Sequence, residues 1–257
     1  MASITAATKK LPWWAGPITV ATVLTLFGIY STIVVFFFPD GEGGQALLSP
    51  FYSPPVGLPG WMPGFVTAPM LVLWIPLGFR LTCYYYRKAY YRAFFWDPPN
   101  CSQTAQEHEP RKEYNGERAL FILNNIHRYF LYASIIVVAF LWYEVAVSFF
   151  PGDSFGVTVG TLILLINIVL VSAYTFSCHS FRHLVGGNKD CHSCVSGRPS
   201  GSGGGAVRSL RRKTYNGVSK INQSHAKWAW YSLFSLLFAD VYIRLLQAGV
   251  ITDFQIL

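Results

Sequence analysis

Charge is scarce in this sequence. Asp, Glu, Lys and Arg make up 12% of its 257 residues, about half the share of an ordinary soluble domain. That excludes a hydrated globular surface for most of the chain. Acidic residues are scarcest, 12 against 20 basic ones, which leaves a net charge of +8. The excess does not point to nucleic acid, because it lies in loops flanking apolar runs and no nucleic-acid motif accompanies it. No glycine-rich flavin or dinucleotide fingerprint occurs, and no internal repeat is visible. Cysteines number five, an odd count, and they fall on the basic side of the chain, where disulfides are disfavoured. Metal binding or plain packing is therefore their expected use.

Long apolar runs are what the chain has instead. Hydrophobic residues reach 52% and the mean hydropathy is +0.34. The runs approach twenty residues, the length that crosses a hydrocarbon core. They predict an all-α integral membrane bundle, a single domain of about five transmembrane helices near residues 16–38, 66–86, 126–150, 156–177 and 226–250. The second span contains Pro69 and Pro76, which a packed membrane helix tolerates. The first run follows Lys9 and Lys10 as a secretory signal would. It is too long for a signal core and lacks a small-residue cleavage site, so a retained helix is expected. Nineteen of the 20 basic residues fall before span one, around the loop between spans two and three (Arg80 to Arg128), or between spans four and five (Arg182 to Lys227). Arg244 lies inside span five, and the opposite loops have none. The N-terminus is thus expected in the cytoplasm and the C-terminus outside. Residues 196–206 are a flexible Gly/Ser insert with no assigned chemistry.

Polar residues inside spans are costly and mark candidate sites. Glu144, Asn167, Asp240 and Arg244 qualify. Asp240 and Arg244 are four residues apart and share a helix face, so they can neutralise one another. The denser signal is Cys178-His179-Ser180-Phe181-Arg182-His183, then Gly186-Gly187 and Cys191-His192-Ser193-Cys194. That places six Cys and His within seventeen residues. His179 and His183 share a helix face, and Cys191 and Cys194 form a C-x-x-C pair. Two His and two Cys suit a Rieske-type [2Fe-2S] centre or a zinc ion, and spacing does not separate the two. Cys83, His127 and His225 converge at the same depth from other spans, so Cys83 or His225, or Cys101 nearby in sequence, can replace a member of this set.

The run from Cys83 to Arg92 reads first as an interfacial anchor of aromatics and cations. His127-Arg128-Tyr129 and the stretch from Ser224 and His225 to Trp228 offer a cation, proton donors and flat rings at the membrane border. Those are the parts of a quinone site.

The segments FRLTCYYYRKAYYRAFFWDPPNC, NNIHRYF, CHSFRHLVGG…DCHSC and VSKINQSHAKWAW…DVYIR together resemble the membrane-anchor subunit of actinobacterial-type succinate dehydrogenase, a divergent class of respiratory complex II. The resemblance covers about residues 66–246. It implies a haem-less, multi-pass anchor in the plasma membrane of a bacterium, with a membrane-embedded Rieske-like [2Fe-2S] cluster. It implies a flavoprotein subunit and an iron–sulfur subunit on the cytoplasmic face, electron transfer to a quinone (ubiquinone or menaquinone), and association of the whole complex into oligomers. Carried onto this chain, it assigns His179 and His183 to one iron and two of Cys178, Cys191 and Cys194 to the other. His127, Arg128, His225 and Trp228 are the quinone candidates. No dicarboxylate site of its own is expected.

Two other readings compete. One is a structural anchor with a zinc-stapled cytoplasmic loop and no electron transfer. The other is a transporter, for which five spans and no inverted repeat are a poor match. Metal and sulfide analysis of the purified protein separates the first two readings: the redox reading requires iron with sulfide, and the staple requires zinc without it.

Overall fold

The computed structural model describes residues 14–38, 47–55, 57–94, 123–150, 154–186 and 205–257. These residues form eight helices: α1 (Ala15–Phe37), α2 (Ala68–Thr82), α3 (Tyr84–Phe94), α4 (Leu123–Ser148), α5 (Val159–Phe176), α6 (His179–Val185), α7 (Gly205–Asn222) and α8 (His225–Gln247). α1, α5, α8 and α4 from Ile126 onward are long and apolar enough to cross a membrane. α2 is apolar but has only 15 residues. The expected helical membrane bundle is present, with four helices of full spanning length and a shorter fifth.

α2 stops early for a local reason. The Thr82 hydroxyl donates to the Gly78 carbonyl one turn back, at 2.7 Å, a contact that bends helices. Cys83 then leaves helical geometry, with φ −61° and ψ 129°. The span expected over residues 66–86 is therefore two helices meeting at Cys83. Cys178, with φ −62° and ψ 144°, separates α5 from α6 in the same way. Both cysteines belong to one buried cluster with Phe79, Tyr86, Leu131, Tyr174 and Ala229, so the two breaks lie at the same end of the bundle.

α5 packs against α8 and α4, and α4 packs against α2. Their shared middle layer is aliphatic and includes Val72, Leu141, Leu164, Ile168 and Ile243. Ser235 Oγ donates across it to Asn167 Oδ1 at 2.9 Å, and Trp142 Nε1 of α4 donates to Ser172 Oγ of α5 at 3.0 Å. Asn167 thus acts as a packing link between α5 and α8.

At the end away from the two breaks, Asp240 gathers three elements. Its carboxylate accepts from Tyr30 of α1, from Ser49 of the buried segment after α1, and from Arg244 Nε at 2.8 Å. Arg244 also donates to Tyr52 Oη at 3.1 Å. The pair expected from its i, i+4 spacing is therefore the hub of a hydrogen-bonded network. Glu144 is placed differently, because its buried Oε1 has no hydrogen-bond partner among the described residues.

The C-terminal tail returns to the start of α5. Thr158 and Gln255 form an antiparallel bridge, and Asp253 Oδ1 accepts from Gly160 N at 2.9 Å. A carboxylate there complements the positive end of the helix dipole.

Replacing Asp240 with alanine strands the Arg244 guanidinium and two hydroxyls inside the bundle. The loss is expected at about 3 kcal/mol, as for breaking a buried pair, and is read as a lowered unfolding temperature of the detergent-solubilised protein.

Candidate metal centre

Helix breaks aim two thiols inward, and helix starts aim two imidazoles at them. Cys83 closes α2 and Cys178 precedes α6. His127 lies in the first turns of α4, and His225 opens α8. His127 Nε2 stands 2.9 Å from Cys178 Sγ. His225 Nε2 stands 3.4 Å from Cys83 Sγ. Both sulfurs and His127 are buried.

The hydrogen bonds around the rings fix both tautomers. Thr82 Oγ1 gives its proton to the Gly78 carbonyl, so at 2.9 Å it accepts from His127 Nδ1–H. Ser177 Oγ gives its proton to the Tyr174 carbonyl at 3.1 Å, so at 2.7 Å it accepts from His225 Nδ1–H. With Nδ1 engaged as a donor, each imidazole in its neutral form turns an unprotonated Nε2 toward a sulfur. A metal-ligating histidine needs this arrangement: one nitrogen anchored as a donor, the other free as a ligand.

Aromatic rings wall the site. Phe79 stacks on His127 at 4.7 Å, and Tyr174 stacks on His225 at 5.0 Å. The Arg80 guanidinium lies 4.7 Å from the Tyr174 ring centre. Arg80 sits in the last turn of α2, donating to Tyr86 Oη at 2.7 Å and Ser232 Oγ at 2.9 Å. It forms no ion pair among the described residues; the pair found there is Asp240–Arg244. Arg80 thus places a positive charge against Tyr86 and Tyr174, rings of the cluster that holds both thiols. Burial, and then the neighbouring Cys83, push the Cys178 thiol up to about 11.

The predicted site residues divide. Cys178 joins the buried set, whereas His179 and His183 stack on each other at 4.4 Å on α6, with His179 exposed. Desolvation of its inner side, then the His183 and Arg182 charges, hold His179 below the usual histidine pKa. Cys101, Cys191 and Cys194 lie outside the described residues. His127 and His225, expected at a quinone, face the thiols. Arg128 is half-buried on α4, and Trp228 Nε1 donates to the Ile221 carbonyl at 3.3 Å, joining α8 to α7. Of the anchor run, Tyr84 is exposed as expected, but Tyr86 turns inward and donates to the Ala229 carbonyl at 2.7 Å. Sequence reading missed Thr82, Ser177, Tyr174 and Arg80. All four are within four residues of Cys83 or Cys178, the only local signal they carry. No three His, Cys, Asp or Glu side chains among the described residues converge on a single-ion position. The four donors form two Cys–His contacts instead.

A mostly apolar cavity of about 440 Å³ adjoins the site, with Phe79, Arg80, Tyr174, Ser134 and Ser53 on its wall.

Residues 15–249 match the family described as actinobacterial succinate dehydrogenase subunit SdhC. The chain belongs to this family. As a member, it is the membrane-anchor subunit of a succinate dehydrogenase, multi-pass in a bacterial plasma membrane. Among solved structures, it is similar to a chain of the Mycobacterium smegmatis Sdh1 complex in the apo form, with 34% identity and a TM-score of 0.75 over 95% of this chain and 91% of that one. No curated protein matches it.

The α2–α4 contact that brings Thr82 to His127 depends on Gly78. A Cβ there would lie 2.1 Å from the Phe130 ring. Gly78→Ala is expected to destabilise the subunit by about 1–3 kcal/mol, as overpacking does, and the measurement is the unfolding temperature of the solubilised complex.

Proposed function

We propose that this anchor relays electrons from a peripheral iron–sulfur subunit, itself served by a flavoprotein subunit, to a quinone through a Rieske-type [2Fe-2S] cluster. Its ligands on this reading are Cys83, Cys178, His127 and His225. The observation that carries it is the pair of bare Nε2 atoms, each tied through Nδ1 to a hydroxyl and each directed at a buried thiol. A Rieske centre takes two imidazoles on one iron and two thiolates on the other, which are the donors gathered here. Two Cys–His contacts in place of one convergent triad favour a two-metal centre over a tetrahedral zinc. When bound, such a cluster supplies one-electron transfer at a point inside the membrane.

Every other part of the work falls to side chains. Cys83 and Cys178 supply negative charge, and Arg80 offsets it without forming an ion pair. Thr82 and Ser177 hold the imidazoles in the ligating tautomer. Phe79 and Tyr174 cover the two rings and exclude water from them. Because His127 and His225 serve as ligands, the quinone is assigned to the neighbouring cavity. Its apolar lining suits a flat ring and prenyl tail, and the unpartnered Ser134 hydroxyl offers a donor to a carbonyl. The one-sided basic loops support a metal centre on the cytoplasmic side, where soluble subunits would deliver electrons.

EPR of the dithionite-reduced complex tests the assignment. A signal of low average g, characteristic of Rieske centres, is expected in the wild type. It should vanish in Cys178→Ser and His127→Ala and persist in the double variant His179→Ala/His183→Ala. Thr82→Val should lower cluster occupancy by about 10-fold or more, as loss of an outer hydrogen bond does. A colourless, zinc-containing, EPR-silent wild type would refute the redox reading, and loss of the signal only on changing His179 and His183 would return the ligands to α6.

A further inference from the structure

We propose that Tyr174 sets the reduction potential of this centre by donating its O–H to the Cys83 sulfur. The proposal rests on the cluster reading and adds to it a residue that binds no metal.

The Tyr174 side chain is fully buried, yet its hydroxyl has no hydrogen-bond partner among the described residues. A buried donor left unmade is a standing cost to the fold, so the position needs a reason. The ring cannot swing the hydroxyl elsewhere. It is stacked on His225 at 5.0 Å, met edge-on by Phe79 at 5.5 Å and Tyr86 at 5.9 Å, and covered by Arg80. Arg80 is itself a donor and cannot accept the proton. Cys83, whose thiol bears on this hydroxyl, belongs to the same buried cluster as Tyr174. Tyr86 makes the contrast. It is almost as deeply buried, but its hydroxyl both donates to the Ala229 carbonyl and accepts from Arg80. One tyrosine at the site is satisfied by the fold, and the other is held in reserve against a sulfur.

A thiol in its protonated form gives Tyr174 only a weak acceptor. A thiolate gives it a strong one. Donation to a ligand sulfur stabilises the more negative, reduced state over the oxidised one and so raises the potential. The Arg80 charge acts in the same direction, through space and without an exchangeable contact to the sulfur.

The test is an EPR-monitored redox titration of the intact complex. Tyr174→Phe keeps the ring and its stacking and removes only the donor. The reduction equilibrium is expected to fall about tenfold, which is about 59 mV for one electron, while the g values remain those of a Rieske centre. Difluorotyrosine at position 174, a stronger donor, is expected to move the midpoint upward. Tyr242→Phe removes a tyrosine hydroxyl at the far end of α8, where it donates to Asp253, and is expected to leave the midpoint in place. An unmoved midpoint in Tyr174→Phe, or an equal fall in Tyr242→Phe, overturns the proposal. If Tyr174→Phe retains no cluster, the direction of the difluorotyrosine shift decides. A wild-type complex without an EPR-active centre overturns the cluster reading and this proposal together. A normal signal with an unmoved midpoint overturns this one alone.

Discussion

Hydrocarbon offers a polar atom nothing to bond with, and this constraint organises the whole subunit. Each polar group drawn inside must find its partner on another helix. The molecule answers it at both ends. At one end Asp240 collects Tyr30, Ser49 and Arg244, so a single carboxylate joins α1, the segment after it and α8. At the other, Thr82 and Ser177 each pass a proton to a backbone carbonyl and take one from a histidine. Between the two ends the packing is mostly aliphatic, with Asn167–Ser235 and Trp142–Ser172 as polar links among α4, α5 and α8. Among the described residues, three of the buried polar atoms left without partners, Tyr174 Oη, Ser134 Oγ and Ser53 Oγ, belong to residues lining the cavity next to the Cys/His group; Glu144 Oε1 and Arg182 Nε lie outside it.

The bundle was legible in the sequence because its signal is long and repetitive. Twenty apolar residues can hardly be read another way, and the one-sided distribution of Lys and Arg adds direction. The i, i+4 spacing of Asp240 and Arg244 likewise gave a contact that the fold confirms. The candidate centre was legible only in part. Local spacing drew attention to the crowded stretch after Cys178, where His179 and His183 sit together on one short helix. It could not show that the backbone break at Cys178 turns the thiol away from that helix and into the bundle. The helix stop at Cys83 was also hidden. It depends on a threonine bonding its own backbone, and propensity alone does not foresee that in an apolar run. Arg80 was grouped with the basic residues around the following loop, and the fold places it at the end of α2 with its guanidinium against Tyr174. Depth was predictable for all of these residues, and facing was not.

Membership of the SdhC family and a shared fold with the mycobacterial complex give the subunit its place as a membrane anchor. The side chains give a reason for this particular fold. A bundle of uninterrupted helices would present its thiols at helical spacing on two facing stripes. Two interrupted helices instead bring sulfurs from separate elements to meet nitrogens from two others. The framework and the donor set are products of the same breaks.

The shortness of α2 carries a consequence for the lipid around it. Fifteen residues at 1.5 Å each extend about 22 Å, against a hydrocarbon core of about 30 Å. Cys83 therefore ends its helix below the headgroups, and the aromatic and cationic α3 covers the remaining depth. A bilayer adjusts to such a mismatch by thinning, and the helix adjusts by tilting, each at a modest elastic cost. Membrane thickness thus bears first on the helix that ends in the buried thiol. The elasticity of the surrounding lipid becomes part of what holds that sulfur opposite His225.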